Sequence, residues 1–112
     1  MSDCLFCKII AREIPSKTVY EDDTCIAFED IHPQAPAHLL VVPKQHCASL
    51  FDADPEACSN LARILLLLPT LAKNLGLSDF RTVINSGKEA GQSVFHLHVH
   101  LLGGRAFRWP PG

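Results

Sequence analysis

The run His96-Leu97-His98-Val99-His100 sets three imidazoles in strict alternation. On an extended chain successive side chains point to opposite faces, so the three histidines share one face while Leu97, Val99 and Leu101 share the other. A lone histidine on a strand is ordinarily a polar residue satisfied by its surroundings. Three in register bring no packing benefit and point to chemistry. Neutral imidazole is a nucleophile and proton carrier near neutral pH, and histidines two apart on a strand can also share a zinc ion. The preceding loop, 85–93, contains Asn85, Gly87, Gly91, Gln92 and Ser93. Its amides, glycines and hydroxyl suit phosphate oxygens better than a metal. A nucleophilic histidine facing a phosphorus centre is the leading reading, with a metal site as its rival.

The elements that must position this row follow from pattern. Asp3 can cap a short helix over 4–11, which sets Cys4 and Cys7 on one face. Ile14-Pro15-Ser16 breaks that helix, and strands are expected at 18–21 and 25–29 around an Asp22-Asp23 turn. Pro33 and Pro36 make 30–37 a loop, and His38-Leu39-Leu40-Val41-Val42 reads as a central strand ending at Pro43. Leu61, Leu65, Leu68, Leu71, Ala72 and Leu75 recur at helical spacing, which predicts a long helix over 55–75, capped by Asp54, stopped by Gly76 and kinked at Pro69. Strands at 80–84 and 94–102 complete the set, and Gly103-Gly104 ends the last. Strands and helices do not alternate, so the expected fold is α+β: one domain over 1–112, with an antiparallel five-stranded sheet, one long helix and one short one.

Composition narrows the function. The chain has 112 residues, 47% of them hydrophobic, enough for one core. A domain of this size leaves much surface uncovered, which favours pairing with a second copy. A net charge of -2 argues against long nucleic acid as a partner, whereas one nucleotide needs only a local phosphate site. Asp3, Lys8 and Arg12 interrupt the amino terminus before any secretory leader develops, and the apolar run from Ile64 to Leu68 falls far short of the roughly 20 residues of a membrane span. A cytoplasmic location is expected. Five cysteines without an export signal favour thiols or metal ligands over a disulfide framework. Cys25 and Cys58 are expected to be small buried hydrophobes, and Cys47 carries no assignment.

The segment Gly91-Gln92-Ser93-Val94-Phe95-His96-Leu97-His98-Val99-His100-Leu101-Leu102 resembles the signature of the histidine triad superfamily. The resemblance extends to Asp30-Ile31-His32-Pro33-Gln34-Ala35-Pro36-Ala37-His38, to Val42-Pro43-Lys44-Gln45-His46, and to Gly103-Gly104-Arg105 with the Trp109-Pro110-Pro111-Gly112 ending. Together these segments are similar to the Hint branch, the purine nucleoside phosphoramidases, over essentially the whole chain.

That resemblance implies a homodimer with an extended sheet and hydrolysis of the P–N bond in adenosine or guanosine monophosphate amides. His98 would attack the α-phosphorus to form a nucleotidyl-histidine, its other nitrogen held by an acceptor expected to be a carbonyl of the neighbouring strand. His100 would contact the phosphate or help protonate the leaving nitrogen. Asn85, Gln92 and Ser93, on the loop with Gly91, would donate to the oxygens, and His38 would support the site. The Hint pattern places the nucleoside against Phe6, Ile9, Phe28 and Ile31, with Asp30 on the ribose hydroxyls and Trp109 near a partner's site. Where that pattern commonly has a small residue, this chain has His32. Cys4 and Cys7, a modest metal signal alone, complete with His46 and His96 a set resembling the structural zinc site of zinc-containing members. Alternatives are a dinucleotide polyphosphate hydrolase or nucleotidyl transferase using the same covalent step, a nucleotide-sensing interaction protein, and a zinc scaffold without turnover.

Overall fold

The computed structural model describes residues 3–112. In chain order it contains α1 (Leu5–Ile10), β1 (Thr18–Glu21), β2 (Cys25–Glu29), β3 (Ala37–Pro43), a short 3-10 turn (Leu50–Asp52), α2 (Pro55–Asn74), β4 (Arg81–Val83) and β5 (Val99–Gly103). The five strands form one sheet in the order β1-β2-β3-β5-β4, and every neighbouring pair is antiparallel. The α+β expectation holds.

Alternation along the strands divides the interior into two layers. Cys25, Ala27, Leu39, Val41, Val99 and Leu101 face α2, which buries Ile64, Leu68, Leu71 and Ala72 against them. Ile26, Phe28, Leu40 and Val42 face the other way and meet Phe6 and Ile9 of α1. Each fully buried aliphatic or aromatic side chain contributes about 1.5–3 kcal/mol, so the long helix carries most of the anchorage. The six-residue α1 is too short to be stable alone and depends on its docking.

Helix α2 starts as its sequence suggests. Asp54 accepts from the Ala57 amide at 2.8 Å, Pro55 occupies the first turn, and Gly76 follows the end at φ +75°. The helix runs on through Pro69. Three expectations along it need correction. Cys58 and Leu65 lie off the arc that meets the sheet and are exposed, and Leu75, past the last turn, is exposed too. At the other end of the chain, α1 is capped by Cys4 rather than Asp3: Cys4 Sγ accepts from the Cys7 amide at 3.4 Å. The 3-10 turn, capped by Ser49, was not expected from the pattern.

The larger correction concerns the last strand, expected over 94–102. Regular pairing begins only at Val99, and residues 92–98 are irregular. Val41 pairs with Val99, so the ladder would next need Pro43 opposite Leu97, and proline has no amide to donate. Lys44 still extends the pairing with β2 by donating to the Thr24 carbonyl, but on the β5 side the ladder stops and the Leu97 amide donates to Cys47 at 2.6 Å. His96 and His98 still share a side, since the Phe6 ring meets both.

Gly104, which follows β5, has φ +94°, and a Cβ there would stand 3.0 Å from Pro36 Cβ. Gly104→Ala is expected to cost at least about 1–2 kcal/mol, the penalty of a left-handed alanine. Urea denaturation of the two proteins checks this, and an unchanged midpoint contradicts it.

Candidate functional site

His98 lies just before β5 and is buried, with 6% exposure. Its Nδ1 stands 2.6 Å from the carbonyl oxygen of His96. A carbonyl can only accept, so Nδ1 carries the proton and Nε2 is left with its lone pair. The acceptor is thus a backbone carbonyl, as expected, but of its own segment rather than of the neighbouring strand. Burial lowers the His98 pKa against the opposing pull of the His96 hydrogen bond and the Asp30 charge, which favours the neutral, nucleophilic form. The Phe6 ring meets the imidazole edge to face, with 5.0 Å between centroids.

His100 is fixed by a chain of hydrogen bonds that begins in the loop after β2. The Gln34 amide donates to His38 Nδ1 at 3.0 Å, so in neutral His38 the proton sits on Nε2. That nitrogen is 2.9 Å from His100 Nδ1 and 3.4 Å from Asp30 Oδ2. His100 therefore accepts at Nδ1 and keeps its own proton on Nε2. Burial, with the nearby His98 and His38, pushes the His100 pKa down to about 4. The rings of His98 and His100 are 5.0 Å apart, so an unprotonated nitrogen and an N–H donor stand side by side.

Both line a cavity of about 610 Å³, which also takes in Phe6, Ile9, Phe28, Ile31, Asp30 and Ser93. Its walls are largely apolar with a few convergent polar groups, the usual make-up of a small-molecule site. Asp30 is held by the His32 amide, which donates to Oδ1 at 2.8 Å. His32 lies on the same rim. Leu40 and Ile14 line the cavity as well. Leu40 was legible as the strand residue two after His38, whereas Ile14 lies in a stretch without periodic signal.

Four expected contacts are placed differently. Gln92 is 2% exposed and its amide is spent: Nε2 donates to the Ala48 and Val94 carbonyls at 2.7 and 3.1 Å, and Oε1 accepts from the Gly87 amide. It braces the loop and has no N–H left for phosphate. Asn85 and Gly91 lie together, a Cβ on Gly91 standing 3.6 Å from Asn85 Nδ2, but neither lines the cavity. Trp109 is 83% exposed and does not line the cavity. The tail leaves the sheet beside Arg81, which donates to the Arg108 carbonyl while Arg81 and Arg105 both lie over the Phe107 ring.

The third histidine belongs elsewhere. Ligand atoms of Cys4, Cys7, His46 and His96 all lie within 4.8 Å of one another. His96 is fully buried and donates from Nε2 to the Pro43 carbonyl at 2.8 Å, which turns the Nδ1 lone pair toward Cys4 Sγ at 3.3 Å, Cys7 Sγ at 3.5 Å and His46 Nδ1 at 3.1 Å. Two sulfurs and two imidazole nitrogens, one with its tautomer fixed by a carbonyl, make a donor set that fits a tetrahedral metal.

Residues 11–107 match the HIT domain family. The chain belongs to the HIT family. A 14 kDa zinc-binding protein of Brassica juncea is 50% identical over 113 residues, covering 98% of this chain and all of that protein. The crystal structure of a HIT family hydrolase from Legionella pneumophila Philadelphia 1 superposes with a TM-score of 0.94 at 49% identity, covering 98% of this chain and 100% of that one. A zinc-bound histidine triad family protein from Mycobacterium smegmatis gives 0.82 at 33% identity, over 98% of this chain and 84% of that one. Within this HIT fold the signature row thus divides, His98 and His100 at the cavity and His96 in the Cys/His cluster.

Two outcomes follow. Gln92→Leu is expected to lower stability by about 2–3 kcal/mol, since it strands three backbone groups, as chemical denaturation would show. For His100 the folded pKa of about 4 lies below the ordinary 6.5. The unfolded chain therefore takes up this proton first, so its contribution to stability is complete above about pH 6.5 and is lost as pH falls toward about 4. His100→Asn should flatten that part of the pH profile, and an unaltered slope would contradict the assignment.

Proposed function

We propose that this HIT protein is a purine nucleoside phosphoramidase, which hydrolyses the P–N bond of adenosine or guanosine monophosphate amides through a covalent intermediate on His98. The observation that carries the reading is the His98 Nδ1 contact of 2.6 Å with the His96 carbonyl, beside a cavity sized for a nucleotide. An imidazole held this way offers Nε2 as a nucleophile without first losing a proton.

In the first step a bond forms between Nε2 and phosphorus as the P–N bond breaks, and the leaving nitrogen departs as an amine after taking one proton. In the second, a water oxygen bonds to phosphorus, the bond to Nε2 breaks, and the proton released by water restores the one consumed. One phosphoramidate and one water become a nucleoside monophosphate and an amine. The His100 N–H and the Ser93 hydroxyl are the donors for the phosphoryl oxygens, where charge grows during attack. Phe6, Ile9, Phe28 and Ile31 would enclose the base, and Asp30 would accept from the ribose.

Cys4, Cys7, His46 and His96 would hold a zinc ion, as the zinc-binding relatives suggest. Four protein ligands leave no open position, so the ion would contribute structure and no activated water. Such thiolates suit a reducing, cytoplasmic setting. Among the described residues no helix is long and apolar enough to cross a membrane. The protein would act as a homodimer in which the sheet continues across the partner and the Trp109 tail approaches the partner's cavity. A dinucleotide polyphosphate hydrolase or nucleotidyl transferase would share the covalent step and differ in the group that leaves or accepts.

Incubation with an adenosine phosphoramidate is expected to release the amine and to leave a nucleotidyl mass on His98 in quenched samples. His98→Asn should lose at least about 10³ in turnover while still binding the monophosphate. Turnover by that variant at the wild-type rate would falsify the proposal.

A further inference from the structure

His96 does three things with three different atoms. Its Nε2 donates to the Pro43 carbonyl, its Nδ1 faces the Cys4, Cys7 and His46 group, and its own carbonyl accepts from His98 Nδ1. Ring and carbonyl are joined through only Cβ and Cα, so whatever fixes the ring also restricts where the carbonyl points. The surrounding segment cannot do this by a ladder, because residues 92–98 lie outside regular strand structure.

A second connection runs through α1. Cys4 caps this helix, Cys7 lies within it, and Phe6 between them presses its ring against His98 at 5.0 Å and His96 at 6.0 Å. A helix of six residues does not hold itself in water. Cys7 ties it to the loop after β3, its Sγ 3.4 Å from His46 Nδ1, and Cys4 ties it to His96 at 3.3 Å.

From these two connections we infer that a metal held by Cys4, Cys7, His46 and His96 positions the nucleophile: it fixes the His96 carbonyl and the Phe6 ring, and so keeps His98 with its proton on Nδ1. His96 and Phe6 are then positioning residues for His98. Without the metal, the His96 ring keeps its bond to Pro43 but loses the bonds made through the ion, and α1 is held by the packing of Phe6 and Ile9 and by weaker polar contacts alone. His98 becomes free to take the Nε2–H tautomer, in which the lone pair no longer faces phosphorus. The inference rests on the proposed role of His98 but is read out without turnover.

The experiment compares nitrogen-15 imidazole spectra of the full-length protein loaded with zinc, the same protein after chelation, and His46→Asn, which removes an exposed ligand while leaving every residue of α1 unchanged. Circular dichroism establishes that each sample is folded. The zinc-loaded protein is expected to show His98 as a single Nδ1–H tautomer, and the two metal-free samples a mixture. Nucleotidylation of His98 in a single turnover should slow by about 10- to 100-fold alongside, the usual cost of losing support behind a site. Persistence of the pure Nδ1–H form in a folded metal-free sample overturns the inference, as does failure of the chain to take up zinc. Should the tautomer respond to zinc while no nucleotide ever attaches to His98, the positioning stands and the phosphoramidase reading falls.

Discussion

The contact between His98 Nδ1 and the His96 carbonyl, at 2.6 Å, governs the rest of the site because it settles which nitrogen of a buried imidazole is basic. An imidazole in an apolar pocket resists protonation, since burial penalises the charged form. It is then neutral but still ambiguous between two tautomers. The carbonyl removes the ambiguity, leaving a nucleophilic nitrogen near the N–H of His100, whose own tautomer is set by Gln34 through His38. The tautomers of His38, His96, His98 and His100 are each traceable to a backbone group.

This arrangement requires the chain to abandon β geometry where the pattern of side chains still looks like a strand. In a continued ladder the carbonyl of residue 96 would compete for a neighbouring strand's amide. Pro43 removes the amide that would have paired with Leu97, and on the β5 side the ladder stops. The freed carbonyls of Pro43, Cys47 and His96 are then taken up by the His96 ring, the Leu97 amide and the His98 ring. The end of β3 and the irregular stretch thus supply one acceptor each for His96 and His98, and these histidines gain fixed tautomers in return.

The fold was largely legible because it depends on alternation and caps, which are local. Cys25, Ala27, Leu39 and Val41 against Ile26, Phe28, Leu40 and Val42 declare two faces without tertiary knowledge, and Asp54 with Pro55 declares the start of α2. The site was legible in its residue types and less so in their roles. Gln92 has the composition of a phosphate donor, but a buried amide can also bridge two carbonyls and an N–H, and only the positions of Ala48, Val94 and Gly87 decide between the uses. The carbonyls of Pro43 and His96 carry no side-chain signal at all. Periodicity marks Leu65 as equivalent to Leu68, yet the sheet meets only one arc of α2.

Concentrating His38, His96 and His98 at or below 6% exposure is costly unless each nitrogen has a use. Among the described residues no buried side-chain nitrogen or oxygen lacks a partner, so the cost is met by hydrogen bonds rather than left as strain. The partners of His96 and His98 come from the end of β3, the loop after it, α1 and the irregular segment, whereas those of His38 and His100 come from the loop after β2 and from each other. The two pairs thus share no hydrogen-bond partner. Displacement of the segment that carries His96 would disarm the nucleophile while leaving the His38 and His100 pair in place, which makes His96 the residue through which the Cys/His cluster and the cavity are mechanically one site.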